Sequence, residues 1–320
     1  MKKTTFRSDF EKEVYTGLTS FPKHLSSKYF YDTAGDKLFQ EIMQLPEYYL
    51  TSCEFDILQQ YKAEIATVFD TGRESFDLIE LGAGDGKKTK ILLKHLVENH
   101  CDFSYRPIDI SDNALQLLAA ALRQELPELN VQPLQGTYFG VLERLASYNQ
   151  RKKVIMFLGS NIGNLLHRQA VNFLRHLNTI MNSNDLLFIG FDQKKDPQVI
   201  LDAYNDKTGV TARFNKNILL RINAEMQADF DPGHFLHWET YDPETGTAKS
   251  FLVAKKAHNV SIRALDMEVH FKKWETIHTE ISQKYDDDIV EWLAGEAGLN
   301  VRDQFSDARN YYKNYIFTKK

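Results

Sequence analysis

Five short apolar runs separated by amphipathic stretches of helical period set the tightest limit on how this 320-residue chain can fold. The runs cover 77–81, 103–110, 129–136, 153–160 and 185–192, and periodic stretches such as 88–100, 112–126 and 168–181 lie between them. Strands alternating with helices of that length build βαβ units, so a mostly parallel sheet covered on both faces is expected. After 192 the pattern changes. Residues 198–225 suggest helices around a polar loop, and 235–285 carries the strand-like runs "FLHWETYD", "TAKSFLVAKKA", "VSIRALDMEVHF" and "TIHTEISQKY". With turns such as "DPETG" between them, these predict an antiparallel sheet. A helix "DDIVEWLAGEAGL" follows, ended by Gly295 and Gly298, and the closing strands "VRDQFSD" and "YYKNYIFTK" suit the sheet edge of a Rossmann-like core.

The expected architecture is therefore α/β, with a Rossmann-like core of 60–194 and 284–320. A second α+β domain is formed by an N-terminal segment (1–59) and an insertion (195–283). Charge narrows the function: 39 basic against 44 acidic residues leave a net −5, without the basic surplus of a nucleic-acid binder. Two cysteines, Cys53 and Cys101, are too few for a disulfide framework. The start "MKKTTFRSDF" has no apolar stretch of the kind a leader carries, and no run is long enough to span a bilayer. These features predict a soluble cytoplasmic protein with neither a membrane nor a nucleic-acid partner. The ten histidines are dispersed without ligand spacing, so no metal is expected.

The stretch "FDLIELGAGDGKKTKILLKHL" (76–96) has the form of strand, tight turn and helix. Dinucleotide, phosphate and sulfonium cofactors are all held by such turns. A dinucleotide fingerprint wants glycine where Lys87 stands, and the Walker spacing is absent as well. An acidic residue closing the second strand, able to accept hydrogen bonds from ribose hydroxyls, is supplied by Asp109 in "RPIDIS". "ELGAG" itself resembles the first motif of S-adenosylmethionine-dependent methyltransferases.

The segment "HLSSKYFYDTAGDKLFQEIMQLPEYYLTSCE" is more specific, and with "FLGSNIGNL", "AYNDKTGVTARFNKNILLRIN", "ADFD" and "HTEISQKY" it recurs in order and spacing. Over about residues 20 to 290 the chain resembles the histidine-specific methyltransferase family. Those ergothioneine-pathway enzymes trimethylate the α-amino group of histidine to give hercynine. The resemblance implies a class I methyltransferase core, a substrate-binding second domain, S-adenosylmethionine as cofactor, a small amino acid as substrate and a monomeric state. It implies that Tyr31 and Tyr48 close over cofactor and substrate, that Asn164 holds the substrate's amino and carboxylate groups, and that Tyr204 meets the carboxylate. Glu280 and Ser282 match the pair on the imidazole ring. Gly82, Gly84, Lys88 and Asp109 fall on the cofactor side, with Thr137 and Tyr138 beside the adenine, and Tyr31 and Asn164 nearest the reacting nitrogen.

Elementary chemistry agrees with part of this. Glu280 and Ser282 are two apart in a strand-like run and so share a face, where an anion and a hydroxyl suit the two ring nitrogens. The bland alternative is a strand showing these two to water, with Ile277, Thr279 and Ile281 turned inward. Asn164 follows an apolar strand, where ligands of open α/β sheets bind; alone it would pass for a turn asparagine. Three departures from the family matter: the cofactor loop reads "GAGDGKKT" where serine or threonine is common in the middle, and two more concern the ligand pockets. Thr137 replaces an aspartate expected against adenine, and Ser250 replaces an apolar residue near the ring pocket. They leave a tryptophan-like amine as the alternative substrate within the same chemistry. An NAD-dependent oxidoreductase is disfavoured by Lys87, and a non-catalytic binder by the complete substrate motifs.

Methyl transfer to an amine needs an oriented lone pair, a dry site and somewhere for a proton to go. No dedicated strong base is evident, so the proton leaves to water or transiently through a tyrosine. The first-methylation rate should accordingly climb as pH rises through the amine's titration. A flat pH–rate profile there would refute this.

Overall fold

The computed structural model describes residues 6–70, 72, 74–110, 112–146 and 151–320; the first five residues of "MKKTTFRSDF" lie outside the described residues. The chain forms two compact units, Met1–Tyr49 with Lys195–Ser282 and Leu50–Lys194 with Gln283–Lys320. The first division falls ten residues ahead of the expected 59/60 boundary (59 − 49 = 10). The reason is helix α1 (Tyr49–Phe69), an uninterrupted run of 21 residues that a cut at 59/60 would split.

The second unit is a Rossmann-like α/β core. Its strands are β1 (Phe76–Leu81), β2 (Phe103–Asp109), β3 (Asn130–Val131), β4 (Leu134–Gln135), β5 (Lys152–Phe157), β6 (Leu186–Asp192), β7 (Leu299–Ser306) and β8 (Tyr312–Lys319). They form one eight-stranded sheet in the order β7-β8-β6-β5-β1-β2-β3, with β4 also on β2. β1 to β6 pair in parallel. β8 runs antiparallel to both β6 and β7, which closes the sheet as the C-terminal pattern suggested. The run 129–136, expected as one strand, is two short ones, because Pro133 between them offers no N–H to the ladder.

Among the described residues this unit also holds the helices α2 (Thr89–Glu98), α3 (Asp112–Glu125), α4 (Tyr138–Ala146), α5 (His167–Ile180) and α6 (Asp287–Glu296). Neighbouring residues of β1 point to opposite faces. Ile79 joins a core with Leu174 and Leu177 of α5 and Leu293 of α6, whereas Leu78 joins another with Ile65 of α1, Leu92 of α2 and Leu122 of α3. All six residues of β1 and all seven of β6 are buried, as a sheet covered on both faces requires.

In the first unit, strands Lys23–His24, Thr276–Gln283, Thr247–Ala254 and Phe235–Asp242 lie side by side in that order. Phe235–Asp242 and Thr247–Ala254 pair antiparallel as expected, and Lys23–His24 adds a parallel partner to Thr276–Gln283, so the whole sheet is mixed. Phe214, Ile218 and Ile222 of the helix Val210–Met226 pack with Phe235, Leu252 and Ile277 of the sheet. The run 260–271, expected as one strand, is a hairpin of His258–Ile262 and Met267–Phe271. Its turn passes through Asp266 at φ 47°, a left-handed conformation that aspartate tolerates.

Among the described residues no helix is long and apolar enough to cross a membrane, and no cluster of three metal-ligating side chains occurs. Cys53 and Cys101 are free thiols. One buried ion pair stands out in the second unit. Lys284 Nζ lies 2.8 Å from Asp192 Oδ2, with both side chains wholly inaccessible. Removing one member of such a pair strands the other charge, so Asp192→Ala should lower the unfolding free energy by about 3–5 kcal/mol in urea denaturation. A loss below about 1 kcal/mol would show that Lys284 is not left as an unpaired buried charge.

Candidate active site

The glycine turn leaves β1 at its carboxyl end. Gly82, Gly84 and Gly86 have φ of 73°, 54° and 63°, values that favour glycine. At Gly82 the constraint is also spatial: a Cβ there would sit 2.6 Å from the Tyr138 hydroxyl. The Gly82 N–H donates to Ile108 O (2.8 Å), and the Gly84 N–H points at Asp109 Oδ2 (3.4 Å), which holds the turn against the end of β2. From β1 the chain builds β2 and β3 to one side, then returns to place β5 on the other. Ligands of open α/β sheets sit at the carboxyl ends of strands at such a reversal. Gly82, Ala83, Asp85, Lys88, Leu158 and Gly159 line a cleft there.

Buried acids hold this corner in shape. Glu54 of α1, wholly inaccessible, accepts from the Gly159 N–H (2.8 Å), the Tyr312 hydroxyl (3.0 Å) and the Asn314 amide (3.0 Å), and forms an ion pair with Lys88. Glu80 of β1 accepts from the Thr89 hydroxyl (2.6 Å) and from Tyr105. Burial outweighs those two donors and pushes its carboxyl up to about 7. Burial, then the charges of Asp109 and Glu80, raise the Tyr138 phenol to about 12, so it stays protonated at neutral pH and able to donate. Thr137 is exposed and caps the start of α4, its hydroxyl accepting from the Gly140 N–H (3.3 Å). Asn164 ends the short 3₁₀ turn Asn161–Asn164 that follows β5, and its side chain is exposed.

The first unit brings together the remaining residues singled out from the sequence. The Tyr204 hydroxyl is 2.6 Å from Ser282 Oγ, both residues being buried. Ser282 therefore does not face water, and the bland alternative for this strand fails at that position. Tyr48 meets Tyr204 edge to face (6.3 Å between centroids) and Phe39 likewise (6.2 Å), while Tyr31 meets Phe39 and Phe214 (5.5 Å each). Desolvation, followed by the charge of Glu280, holds the Tyr31 phenol well above its usual value. Although 45% of the Tyr31 residue is exposed, burial remains the larger cause of that rise and the Glu280 carboxylate the second.

Glu239, absent from the sequence-based set, completes this group. Ser250 Oγ donates to Glu239 Oε2 (2.6 Å) and lies 3.4 Å from Glu280 Oε2. The only sequence signal for Glu239 is its parity. In "FLHWETYD" it alternates in step with Phe235 and His237, and all three are buried. Glu54 had no such signal, being one acid within a helical run.

Comparison with known proteins covers almost the whole chain. Residues 10–319 match a family model described as histidine-specific methyltransferase, SAM-dependent. The chain is 35% identical to histidine N-alpha-methyltransferase of Mycolicibacterium smegmatis over 92% of this chain and 90% of that protein. It is also 35% identical to the Mycobacterium tuberculosis protein of the same name, over 90% and 88%. It is 30% identical to ergothioneine biosynthesis protein 1 of Schizosaccharomyces pombe, over 92% of this chain and 39% of that longer protein. Among solved structures, a magnesium protoporphyrin IX methyltransferase from Synechocystis aligns at a TM-score of 0.44 and 13% identity, over 92% of this chain and 98% of that one. That likeness is too loose to carry any role.

Glu80 links this corner to pH. Its carboxyl is raised in the folded state, so its stabilising contribution is complete below about 4.5 and lost as pH rises to about 7. Unfolding free energy should therefore fall across that window by an extra ~3 kcal/mol in the native protein relative to Glu80→Gln, which cannot titrate. Denaturant titrations at pH 5 and pH 8 measure it, and parallel pH dependences would contradict the assignment.

Proposed function

The chain belongs to the histidine-specific, S-adenosylmethionine-dependent methyltransferase family, and from that premise we propose that it methylates the α-amino nitrogen of L-histidine. What carries the substrate is the buried Tyr204–Ser282 pair with Glu280 on the same strand, inside a chain matched over residues 10–319. Successive transfers would give the trimethylated betaine hercynine and place the reaction in ergothioneine synthesis. We read the enzyme as a cytoplasmic monomer acting on a free amino acid.

S-adenosylmethionine, when bound, supplies an electrophilic sulfonium methyl. The chain's own groups suit that cofactor: Gly82, with no room for a Cβ, leaves bare backbone at the cleft. Asp109 accepts from ribose hydroxyls, Lys88 meets the amino-acid carboxylate, Gly84 gives close backbone approach, and Thr137 and Tyr138 flank the adenine. Glu280 accepts an imidazole N–H and Ser282 bonds the other ring nitrogen. Ser282 suits this because its partner Tyr204 can donate to it or accept from it, so it serves either tautomer. Tyr204 also meets the substrate carboxylate. Tyr48 closes over the substrate, and Asn164 holds its amino and carboxylate groups, the amide being able to accept from one and donate to the other. Tyr31 stays protonated at neutral pH, so it orients the amine by hydrogen bonding and the amine proton leaves to water.

The experiment is calorimetric titration of histidine, dimethylhistidine and tryptophan into protein saturated with S-adenosylhomocysteine. Selective binding of the histidine forms is expected, with Glu280→Ala weakening them at least tenfold, in line with losing a charge-assisted hydrogen bond. Binding of tryptophan alone would move the enzyme to the alternative substrate. Absence of all three, with cofactor product bound, would reject an aromatic amino acid.

A further inference from the structure

The group proposed to hold the ring contains a second carboxylate. Glu239 stands opposite Ser250 in the antiparallel register of Phe235–Asp242 and Thr247–Ala254, with 7% and 1% of their surfaces exposed. Ser250 has one hydroxyl proton, which the 2.6 Å contact commits to Glu239, while Glu280 lies 3.4 Å from the same oxygen. Two carboxylates are thus gathered on one serine. Two carboxylates that reach one hydroxyl raise the negative potential there, which favours a bound group carrying positive charge or N–H donors. Farther along the same strand face is His237, 6% exposed, with neither ring nitrogen hydrogen-bonded. Burial depresses its pKa to about 4, so at neutral pH it adds no positive charge to this strand face.

We propose, resting on the histidine reading above, that Glu239 is a specificity-determining residue that acts through Ser250 on Glu280. It makes the ring subsite doubly acidic, so the subsite selects a side chain with two N–H donors or a positive charge, such as imidazole, over a neutral ring with one donor, such as indole. Glu239 is a positioning residue in this scheme and Glu280 the group that meets the ring. The pair Glu239–Ser250 thereby gives the polar Ser250 a reason to stand where the family carries an apolar residue.

The test titrates histidine and tryptophan into the S-adenosylhomocysteine-saturated protein, comparing the unaltered chain with Glu239→Gln, Glu239→Asp and Glu280→Gln. Glu239→Gln keeps the size and a hydrogen bond but removes the charge. It should weaken histidine roughly tenfold, as one charge acting across a partly screened contact would. Tryptophan affinity should hold or improve, the melting temperature should be unchanged, and Glu239→Asp should recover part of the histidine affinity. If Glu239→Gln does not fold, Ser250→Ala provides the same comparison by removing the bridge. Histidine affinity within twofold of the unaltered protein, alongside a clear loss in Glu280→Gln, would overturn this inference alone. Failure of the unaltered protein to bind histidine would overturn the histidine reading and this inference with it.

Discussion

One buried carboxylate organises the second unit. Glu54 lies inside α1 with no solvent contact, and an isolated charge there would be prohibitively unfavourable. It is made tolerable by four donors from separate parts of the chain: the Gly159 amide after β5, Tyr312 and Asn314 of β8, and Lys88 at the start of α2. The same bonds fix the relation between the helix, the closing strand and the two loops that line the cleft. Gly190 of β6 is bound into this arrangement as well, since a Cβ there would come within 2.2 Å of both Glu54 and the Tyr312 hydroxyl. Helix, sheet and loop geometry therefore share a single electrostatic constraint.

The other polar groups buried around that cleft follow the same logic. Glu80 takes two hydroxyl donors and still remains hard to ionise, because its surroundings exclude water. Tyr138 is kept as a neutral donor by burial and by neighbouring acids. Asp192 and Lys284 neutralise each other at the end of β6. Such pairs contribute little net stability compared with apolar packing, but they penalise alternative arrangements heavily, since any displacement leaves a charge unpaired.

The first unit sets buried polar groups on the same three strands that supply its apolar core. Phe235, Leu252 and Ile277 pack with the helix Val210–Met226, while Glu239, Ser250 and Ser282 on the same three strands bond to one another or to Tyr204. Tyr31 meets Phe39 and Phe214 edge-on and Phe39 meets Tyr48, which in turn meets Tyr204.

The α/β core, the glycine turn with Asp109, and the change of pattern after 192 were legible because each is local. Hydrophobic period, turn chemistry and strand-end placement are properties of neighbouring residues. The misjudged elements were also local in origin: Pro133 split one expected strand and the left-handed turn at Asp266 split another, each a single-residue effect hidden in an apolar run. The family's peculiar motifs pointed to Tyr31, Asn164, Tyr204, Glu280 and Ser282 one position at a time, without saying which of them touch. Only the tertiary structure joined Tyr204 to Ser282 across 78 residues, Glu54 to Asn314 across 260, and Glu239 to Glu280 through Ser250. Those contacts depend on strand register and on how elements pack, and register is set by the whole sheet rather than by any segment of it.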